Sequence, residues 1–510
     1  MNAPPRSLRL SELLAGLPIR RLAGPDPVLG PPILGVTLDS RKVVPGDLFV
    51  AVPGAKVDGR AFAGMALERG AVGVLAASGR LQSGPPAGWP SSVYWLETTD
   101  PRALAGLLAA RVHGHPENDL ILAAVTGTNG KSTTATVLGA LLDAAELPAA
   151  VLGTIGYGFR DDVFAADRTT PEAPELIRLL RRFHTAGARA AAMEASSHAL
   201  ALHRLAGLRF DVAIFTNLTR DHLDFHKDLE DYFQAKRGLF SMLKPGGRAV
   251  VHLDDPYGAR LAAEMPDALT FGARPDSRAE VRMENAQLSA RGIRGTLVTP
   301  RGRFEVISTL LGRYNLENLV AAAAGAEALG LPSDAIVSGL ARRGPVVGRL
   351  EPVEAGQPFP VFVDFAHTPA GLESLLRSVR EFTGKKPIVV FGAGGDKDRG
   401  KRGPMGRVVG ELSCLPILTS DNPRGEDPLE ILWAVEAGIK ESGNTQYRLV
   451  PDRREAIRRA VAVAGPDDVV VVAGKGHEAF QETAGVRTPF SDQQELRRAL
   501  EERFGHAASC

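Results

Sequence analysis

The sequence predicts an α/β protein of three domains, and three observations carry that expectation. The chain has 510 residues, too many for one ordinary hydrophobic core. From Asp119 onward, short apolar runs alternate with helical stretches, the pattern of a mostly parallel sheet covered by helices. After the stretch Arg342–Val347 that rhythm restarts, and each apolar run ends in a glycine-rich or charged cluster. Breaks at His113–Asn118 and Arg342–Val347 divide the chain into residues 1–115, 116–346 and 347–510. The first is a small α/β domain, the second a central phosphate-loop domain and the third a second, smaller α/β domain.

In the first domain, Gly35–Asp39, Leu48–Val52, Ala71–Ala76 and Val93–Leu96 read as strands. Gly59–Arg69 and Asp100–Gly114 read as helices, and Ser78–Ser92, rich in Gly, Pro and Ser, as a surface loop. Ser11 is placed to cap a short helix over Glu12–Leu17. In the second domain the strands are Leu120–Val125, Ala190–Met193, Val212–Phe215 and Ala249–Val251. Helices are expected over Asp231–Leu243 and Leu316–Leu329, with antiparallel hairpins over Val281–Ile307. In the third, strands fall at Val361–Val363, Pro387–Val390, Pro416–Leu418 and Val469–Val472. Ligands in open α/β sheets sit beyond the carboxyl ends of strands, so this domain is expected to carry its own binding surface.

Composition narrows the function. Hydrophobic residues make up 44% and charged residues 23%, which excludes a disordered chain. Formal charge is +1 with acids and bases interspersed, so no nucleic-acid partner is expected. Two distant cysteines, Cys414 and Cys510, exclude a disulfide framework or a zinc ribbon and suit a reducing compartment. Leu319–Leu331 is apolar but short and contains Glu327, and Met1–Pro18 lacks the unbroken apolar run of a signal peptide. A cytoplasmic protein, monomeric and without a membrane partner, is the expectation.

The most informative stretch is Val125-Thr126-Gly127-Thr128-Asn129-Gly130-Lys131-Ser132-Thr133-Thr134. An apolar run feeds a glycine-rich turn that ends in Lys-Ser and opens an alanine-rich helix. Such a turn lets backbone N–H groups converge on phosphate oxygens, and the helix start adds further unpaired donors. Lys131 can neutralise outer phosphates and Ser132 can reach a magnesium ion. Val125 stands where the general pattern has its first glycine, so this is a variant spelling.

Other clusters fall at predicted strand ends. Glu194-Ala195-Ser196-Ser197-His198 offers a carboxylate suited to magnesium. Asn217-Leu218-Thr219-Arg220-Asp221-His222-Leu223-Asp224-Phe225-His226 crowds acids, histidines and an arginine into one loop. His222 and His226 are spaced i, i+4, as zinc would want, but no third soft ligand is evident, and magnesium with acids is the better reading. Asn315 and Asn318, at a helix start, can donate and accept together toward a base or ribose. Lys236, by spacing alone, reads as an inert helical lysine. In the last domain stand Asp364-Phe365-Ala366-His367, Gly392-Ala393-Gly394-Gly395-Asp396-Lys397-Asp398, Arg402, Asp421-Asn422-Pro423-Arg424 and Gly474-Lys475-Gly476-His477-Glu478. The glycine cluster lacks the third glycine of a dinucleotide fingerprint. Arginines beside Asn and Glu suit a zwitterion: Arg pairs a carboxylate while an acid holds an ammonium.

In combination these motifs resemble the Mur ligases, the ATP-dependent amide-forming enzymes of peptidoglycan precursor synthesis. The resemblance rests on Thr126–Ser132, Glu194-x-Ser196-Ser197-His198, Asn217-Leu218-x-x-Asp221-His222-Leu223-Asp224, Asn315-x-x-Asn318 and Gly348-Arg349-Leu350-Glu351 in that order. It runs from about Gly35 to Asp492. Asp39-Ser40-Arg41, the Gly54-x-Lys56-x-Asp58-Gly59 run and Asp421-Asn422-Pro423-Arg424 are similar to members that add the third peptide residue. Those enzymes join meso-diaminopimelate to UDP-N-acetylmuramoyl-L-alanyl-D-glutamate, a step of cell-wall biogenesis.

The resemblance implies a UDP-binding first domain, a central domain for ATP and the muramoyl peptide, and a Rossmann-like third domain that brings the amino acid. It implies that Gly127, Thr128, Asn129, Gly130, Lys131, Ser132, Thr133, Asn315, Asn318, Arg349 and Asp364 bind ATP. Ser40 would contact uracil or ribose, and Thr169, Thr170, Ser196 and Arg204 the sugar-peptide. Arg402, Asp421, Asn422, Arg424, Gly474 and Glu478 would bind the diamino acid. Lys236 matches a lysine that the family carries as a carbamate, which with Ser132, Glu194 and His222 would hold magnesium; Lys131, Glu194, His222 and Lys236 form the implied catalytic centre. The departures are Phe365 for a commoner tyrosine, Leu202 where some members have glutamine, and the loosely spelled hinge Gly344–Gly348. L-lysine or L-ornithine remain alternative amines, and another Mur ligase, a folylpolyglutamate synthase, a kinase or a nucleotide-gated binding module remain alternative functions. The domain preceding the phosphate loop speaks against the synthase.

Overall fold

The computed structural model describes residues 7–54, 57–79, 84–342 and 344–505. Lys56 of the glycine-rich run, residues 80–83 of the expected loop, Arg343 of the expected linker, Cys510 and the first six residues lie outside the described residues. Two compact units divide the chain. One comprises Met1–Thr126, Glu146–Ala213 and Ala235–Ala249, the other Gly127–Ala145, Ile214–Gln234 and Val250–Cys510.

The first unit opens with a five-stranded sheet in the order Arg20–Ala23, Tyr94–Thr98, Gly73–Ala77, Asp47–Ala51, Gly35–Thr37. Four strands are parallel and every residue of the three central ones is buried, which is why they read as continuous apolar runs rather than alternating ones. The charged Arg20–Ala23 strand was not legible in advance; it is an exposed antiparallel edge. Trp95, Phe49, Val74 and Ala66 build one core of this sheet. The Pro101–Val112 helix starts where expected, with the Asp100 carboxylate accepting from Ala103 N. The N-terminal helix does not start at Glu12. It spans Leu10–Leu14, with Glu12 reaching back to the Arg9 backbone N–H, so Ser11 lies within the first turn and is not the cap.

In the same unit Ile121–Thr126, Ala190–Glu194 and Ala149–Gly153 align in parallel, and the antiparallel strands Gly156–Phe159 and Asp162–Phe164 follow. The helix expected over Asp231–Leu243 ends early. It covers Leu229–Arg237, tightens into a 3₁₀ turn over Gly238–Met242, and yields to the strand Leu243–His252. Gly238, a poor helix former, stands at the transition.

In the second unit, Val250–His252 pairs in parallel with Leu269–Gly272, which pairs with Val281–Ser289. The expected hairpins follow as Val281–Ser289, Gly292–Thr299 and Gly302–Ser308, all antiparallel. The Lys131–Ala144 helix packs on Arg313–Ala328 and Ser333–Arg342. The last part forms a six-stranded sheet ordered Glu351–Pro352, Val361–Asp364, Val470–Ala473, Ile388–Phe391, Leu415–Leu418, Arg448–Leu449. Only Glu351–Pro352 runs antiparallel. Separate hydrophobic cores cover its two faces, one built on Phe391, Leu376 and Val435, the other on Val390, Ile457 and Leu496. The carboxyl ends of the parallel strands deliver Asp364, Gly392, the Asp421 loop and Gly474 to one edge.

Candidate active site

In the second unit, the loop Gly127–Gly130 leads into the helix Lys131–Ala144. Its backbone is pinned by the neighbouring loop. Thr128 N donates to Asn217 O at 2.9 Å, Asn129 N to Asn217 Oδ1 at 2.9 Å, and Thr216 Oγ1 to Asn129 O at 2.6 Å. Lys131 Nζ curls back onto the carbonyls of Gly127 and Thr128, both at 2.9 Å. Gly130 sits at φ 88°, and a Cβ there would lie 2.3 Å from Asn318 Oδ1. Only glycine serves both demands. The Ser132 hydroxyl, buried on the first turn, accepts from Arg349 Nη2 at 2.8 Å. Thr133 is buried beside it.

Asn315 and Asn318 are buried on the Arg313–Ala328 helix. Asn315 Nδ2 donates to Leu311 O, Asn318 Nδ2 donates to Asn315 Oδ1, and Thr134 Oγ1 stands 3.5 Å from Asn318 Oδ1. Asn318 therefore meets the Lys131–Ala144 helix that follows the glycine-rich loop. Arg349 also lies over the Phe365 ring at 4.8 Å, so the aromatic face persists where tyrosine was expected. Asp364 accepts from Tyr314 OH at 2.9 Å and from the Leu350 and Ala366 backbones at 2.7 Å. Burial raises its carboxyl above the ordinary value, against the pull of Arg349.

His222 adopts φ 55° in a loop, as the sequence reading placed it, and its carbonyl accepts from Phe225 N at 3.1 Å and His226 N at 2.9 Å, which forms one turn. Its Nε2 stands 3.5 Å from Asp221 Oδ2. Asp221 is buried beside Lys401 Nζ at 3.9 Å. Burial pushes this carboxyl up, but His222, Lys401 and His367 outweigh it and bring it to about 2. Burial holds the His367 imidazole down at about 4, with Lys401 adding to the fall, so it is neutral at pH 7. Among the described residues no group of three or more His, Cys, Asp or Glu side chains is placed to hold a metal ion.

At the carboxyl edge of the last sheet, opposite charges interleave. Asn422 Nδ2 donates to Glu478 Oε2 at 2.8 Å, while its Oδ1 accepts from Lys475 Nζ at 3.1 Å and Glu482 N at 3.0 Å. Lys475, fully buried, also reaches Glu478 Oε2 at 2.8 Å. Burial raises the buried Asp421 carboxyl, yet Lys475, Arg453, His367 and Arg424 together hold it below the ordinary value. Gly474 stands at φ 115°, where a Cβ would lie 2.6 Å from Asp421 Oδ2. Arg424, at φ 53°, donates through Nη1 to Gly395 O at 2.8 Å. Arg402 is buried in a two-pronged pair with Glu426 at 3.1 and 2.8 Å. Its guanidinium thus shapes the Glu426 side of the loop. The whole cluster offers buried donors and acceptors to a ligand carrying both charges.

The first unit holds the remaining candidates. Glu194, 2% exposed at its strand end, accepts from Thr154 N at 2.7 Å and Thr154 Oγ1 at 3.2 Å. Thr154 Oγ1 also lies 3.1 Å from the Thr169 hydroxyl, and Thr170 Oγ1 donates to Glu194 O at 2.8 Å and receives the Ser196 N–H at 3.2 Å. Ser196 caps the helix Ser197–Ala201. Arg204 lies 3.2 Å from Glu172, which also pairs with Arg102 at 2.8 Å; burial lowers the Arg204 guanidinium while Glu172 opposes that. Ser40 is buried near Met65 Sδ at 3.4 Å. Lys236 is 1% exposed, unlike the solvated lysine its helical position alone suggested.

Sequence reasoning missed Thr154, Tyr314, Lys401 and Arg453. Their partners lie 40, 50, 180 and 39 positions away, so no local spacing could reveal them.

A glycine-rich strand-to-helix loop, a polar cluster at the carboxyl edge of the last sheet and a three-part sequence organisation are the features expected of an ATP-dependent ligase. The sequence matches the Mur ligase family over residues 32–94 (catalytic domain), the Mur ligase middle domain over 125–326 and the Mur ligase glutamate ligase domain over 348–476. The chain belongs to the Mur ligase family. It is 44% identical over 500 residues to the UDP-N-acetylmuramoyl-L-alanyl-D-glutamate–2,6-diaminopimelate ligase of Gloeobacter violaceus, covering 98% of this chain and 99% of the relative. It is 41% identical over 511 residues to the enzyme of that name from Streptomyces coelicolor, covering 98% and 99%. A solved structure of a UDP-N-acetylmuramoyl-L-alanyl-D-glutamate–2,6-diaminopimelate ligase superposes with TM-score 0.66 at 33% identity, covering 98% of this chain and 99% of that one. MurF from Thermotoga maritima in complex with ADP shares the fold, with TM-score 0.64 at 19% identity over 93% and 98%.

Proposed function

We propose that this chain is the ATP-dependent ligase that adds meso-diaminopimelate to the D-glutamyl residue of UDP-N-acetylmuramoyl-L-alanyl-D-glutamate in peptidoglycan precursor synthesis. The observation that carries this reading is identity of 44% along 98% of the chain with a relative named for that reaction. The pinned phosphate loop and the Asp421–Asn422–Lys475–Glu478 cluster support it. Residues 1–115 are assigned to UDP, 116–346 to ATP and the muramoyl peptide, and 347–510 to the amino acid. The protein acts in the cytoplasm as a monomer. No helix among the described residues is long and apolar enough to cross a membrane.

A carboxylate is a poor electrophile and must first be activated. A γ-carboxylate oxygen of D-glutamate attacks the ATP γ-phosphorus, the bond to the ADP oxygen breaks, and an acyl phosphate forms. Lys131 leaves its loop carbonyls to neutralise the phosphates, and the loop N–H groups of Gly127–Thr133 cradle them. Arg349 fixes the Ser132 hydroxyl, while Asn315, Asn318 and Asp364 hold the loop and hinge that present the nucleotide. The free amine then attacks the acyl carbon, the tetrahedral intermediate expels phosphate, and the nitrogen loses a proton. No protein nucleophile is required; positioning and charge neutralisation supply the rate.

Magnesium, when bound, neutralises charge on the transferring phosphoryl group. Hard oxygen donors suit it. The Ser132 hydroxyl and the buried Glu194 carboxylate fit that chemistry, and His222 and a carbamate on Lys236 complete the assigned set. Ser40 is assigned to the uridine, and Thr169, Thr170, Ser196 and Arg204 to the sugar-peptide. Asn422, Arg424 and Glu478, with Asp421, Gly474 and Arg402, are assigned to the two charged ends of diaminopimelate.

The test is ADP release and amide formation with the UDP-muramoyl dipeptide and, in turn, meso-diaminopimelate, L-lysine and L-ornithine. Diaminopimelate should dominate, and Arg424→Leu should erase that preference, because lysine lacks the carboxylate the guanidinium pairs with. Equal wild-type rates with lysine would refute the choice of amine. Phosphorylated dipeptide accumulating in the presence of amine would indicate a kinase instead.

A further inference from the structure

The amine pocket rests on a device that no motif marks. Arg453, the first residue of the Arg453–Val463 helix, is fully buried with Asp492, the first residue of the Asp492–Phe504 helix. Their pairing is two-pronged: Arg453 Nε to Asp492 Oδ1 and Arg453 Nη2 to Asp492 Oδ2, each 2.7 Å. Nη2 donates a second time, to Ala473 O at 2.9 Å. The next residue along, Gln493, donates through Nε2 to Gly476 O at 3.0 Å. The carbonyls that bracket the Gly474-Lys475-Gly476 turn, those of Ala473 and Gly476, are therefore held from two helix N-termini that the Arg453–Asp492 pair ties together. That turn carries Gly474 against Asp421, Lys475 against Asn422 and Glu478, and the start of the Glu478 loop.

The geometry points to Arg453, clamped by Asp492, as a positioning residue for the amine substrate: it sets the turn that presents Gly474, Lys475 and Glu478. This inference rests on the ligase reading above. Two further observations favour positioning over simple stability. A fully buried ion pair contributes little stability beyond an apolar pair of similar volume. And one arm of the guanidinium, Nη1, is buried with no hydrogen-bond partner among the described residues, as is Asp421 Oδ2. Arg453 is among the positive charges acting on Asp421, and Asp421 and Glu478 are among the acids acting on Arg453. The pair thus orders both the shape and the charge of the pocket rim.

The experiment uses the full-length enzyme in steady state, varying ATP, UDP-muramoyl dipeptide and meso-diaminopimelate separately. Three variants are compared: Arg453→Lys, which keeps charge but loses the fork; Arg453→Met with Asp492→Leu, which keeps volume and removes the pair; and Gln493→Ala, which leaves the pair intact. Each should raise KM for diaminopimelate, on the order of 10- to 100-fold for the Arg453 variants, with KM for ATP unchanged. The paired apolar replacement is the decisive arm, since a purely structural role predicts that it folds and keeps its KM. An unchanged KM for diaminopimelate, or a rise matched in all three substrates, overturns the inference. If the paired replacement does not fold, Arg453→Lys and Gln493→Ala decide by the same split. A wild-type enzyme that forms no amide with any diamino acid instead removes the ligase reading itself.

Discussion

Glu317 lies between Asn315 and Asn318 on the Arg313–Ala328 helix. Burial raises its carboxyl from 4.5 to about 7, with Asp254 adding to the rise and Arg313 and Arg274 opposing it. Below pH 4.5 the group is protonated in the folded and unfolded chains alike. Between pH 4.5 and about 7 the unfolded chain gives up its proton while the folded one keeps it, so stability falls as pH rises through that window. The gap, at about 1.4 kcal/mol per pKa unit, comes to roughly 3 kcal/mol at full ionisation. Glu317→Gln removes the charge and keeps the shape. It should match the wild type in urea unfolding near pH 4.5 and gain progressively, reaching roughly 3 kcal/mol by pH 8. A difference that stays constant across pH, or a variant weaker than wild type at pH 8, would refute the assignment of that penalty to a buried carboxyl.

Other substitutions probe the nucleotide loop. Gly130→Ala forces a Cβ onto Asn318 Oδ1 and holds a non-glycine residue at φ 88°, a backbone cost of about 1–2 kcal/mol; ATP titration should show weaker binding and calorimetry a lower midpoint. Arg349→Ala removes the 2.8 Å bond to Ser132 and the contact with Phe365. A charged hydrogen bond is worth about 1.5–3 kcal/mol, so kcat/KM for ATP should fall roughly 10- to 100-fold. Lys131→Ala should cut amide formation by on the order of 10³ or more; an undiminished rate would sink the acyl-phosphate mechanism.

The α/β class and most strands were legible because parallel, doubly covered strands leave unbroken apolar runs such as Val470–Ala473. The edge strand Arg20–Ala23 was not: it is charged and three of its four residues are exposed, so only pairing with Tyr94–Thr98 defines it. The phosphate loop announced itself for a local reason, since a turn of that shape needs its glycines within a few residues of each other. The setting of Asn315 and Asn318 depended on the packing of two helices, with Thr134 and Asn318 184 positions apart, and that packing places the amide pair behind Gly130.

By itself, then, the order of residues determined which segments become strands and helices, where phosphate is cradled, and which family the chain resembles. Each follows from short-range backbone geometry and the period of apolar side chains. Only the tertiary structure decided that Asp221 meets Lys401, that Lys236 and Lys475 are buried, and that Arg453 clamps the Gly474 turn. Those are encounters between distant segments in a low-dielectric interior, where burial and neighbouring charge, not residue type, set what a side chain does.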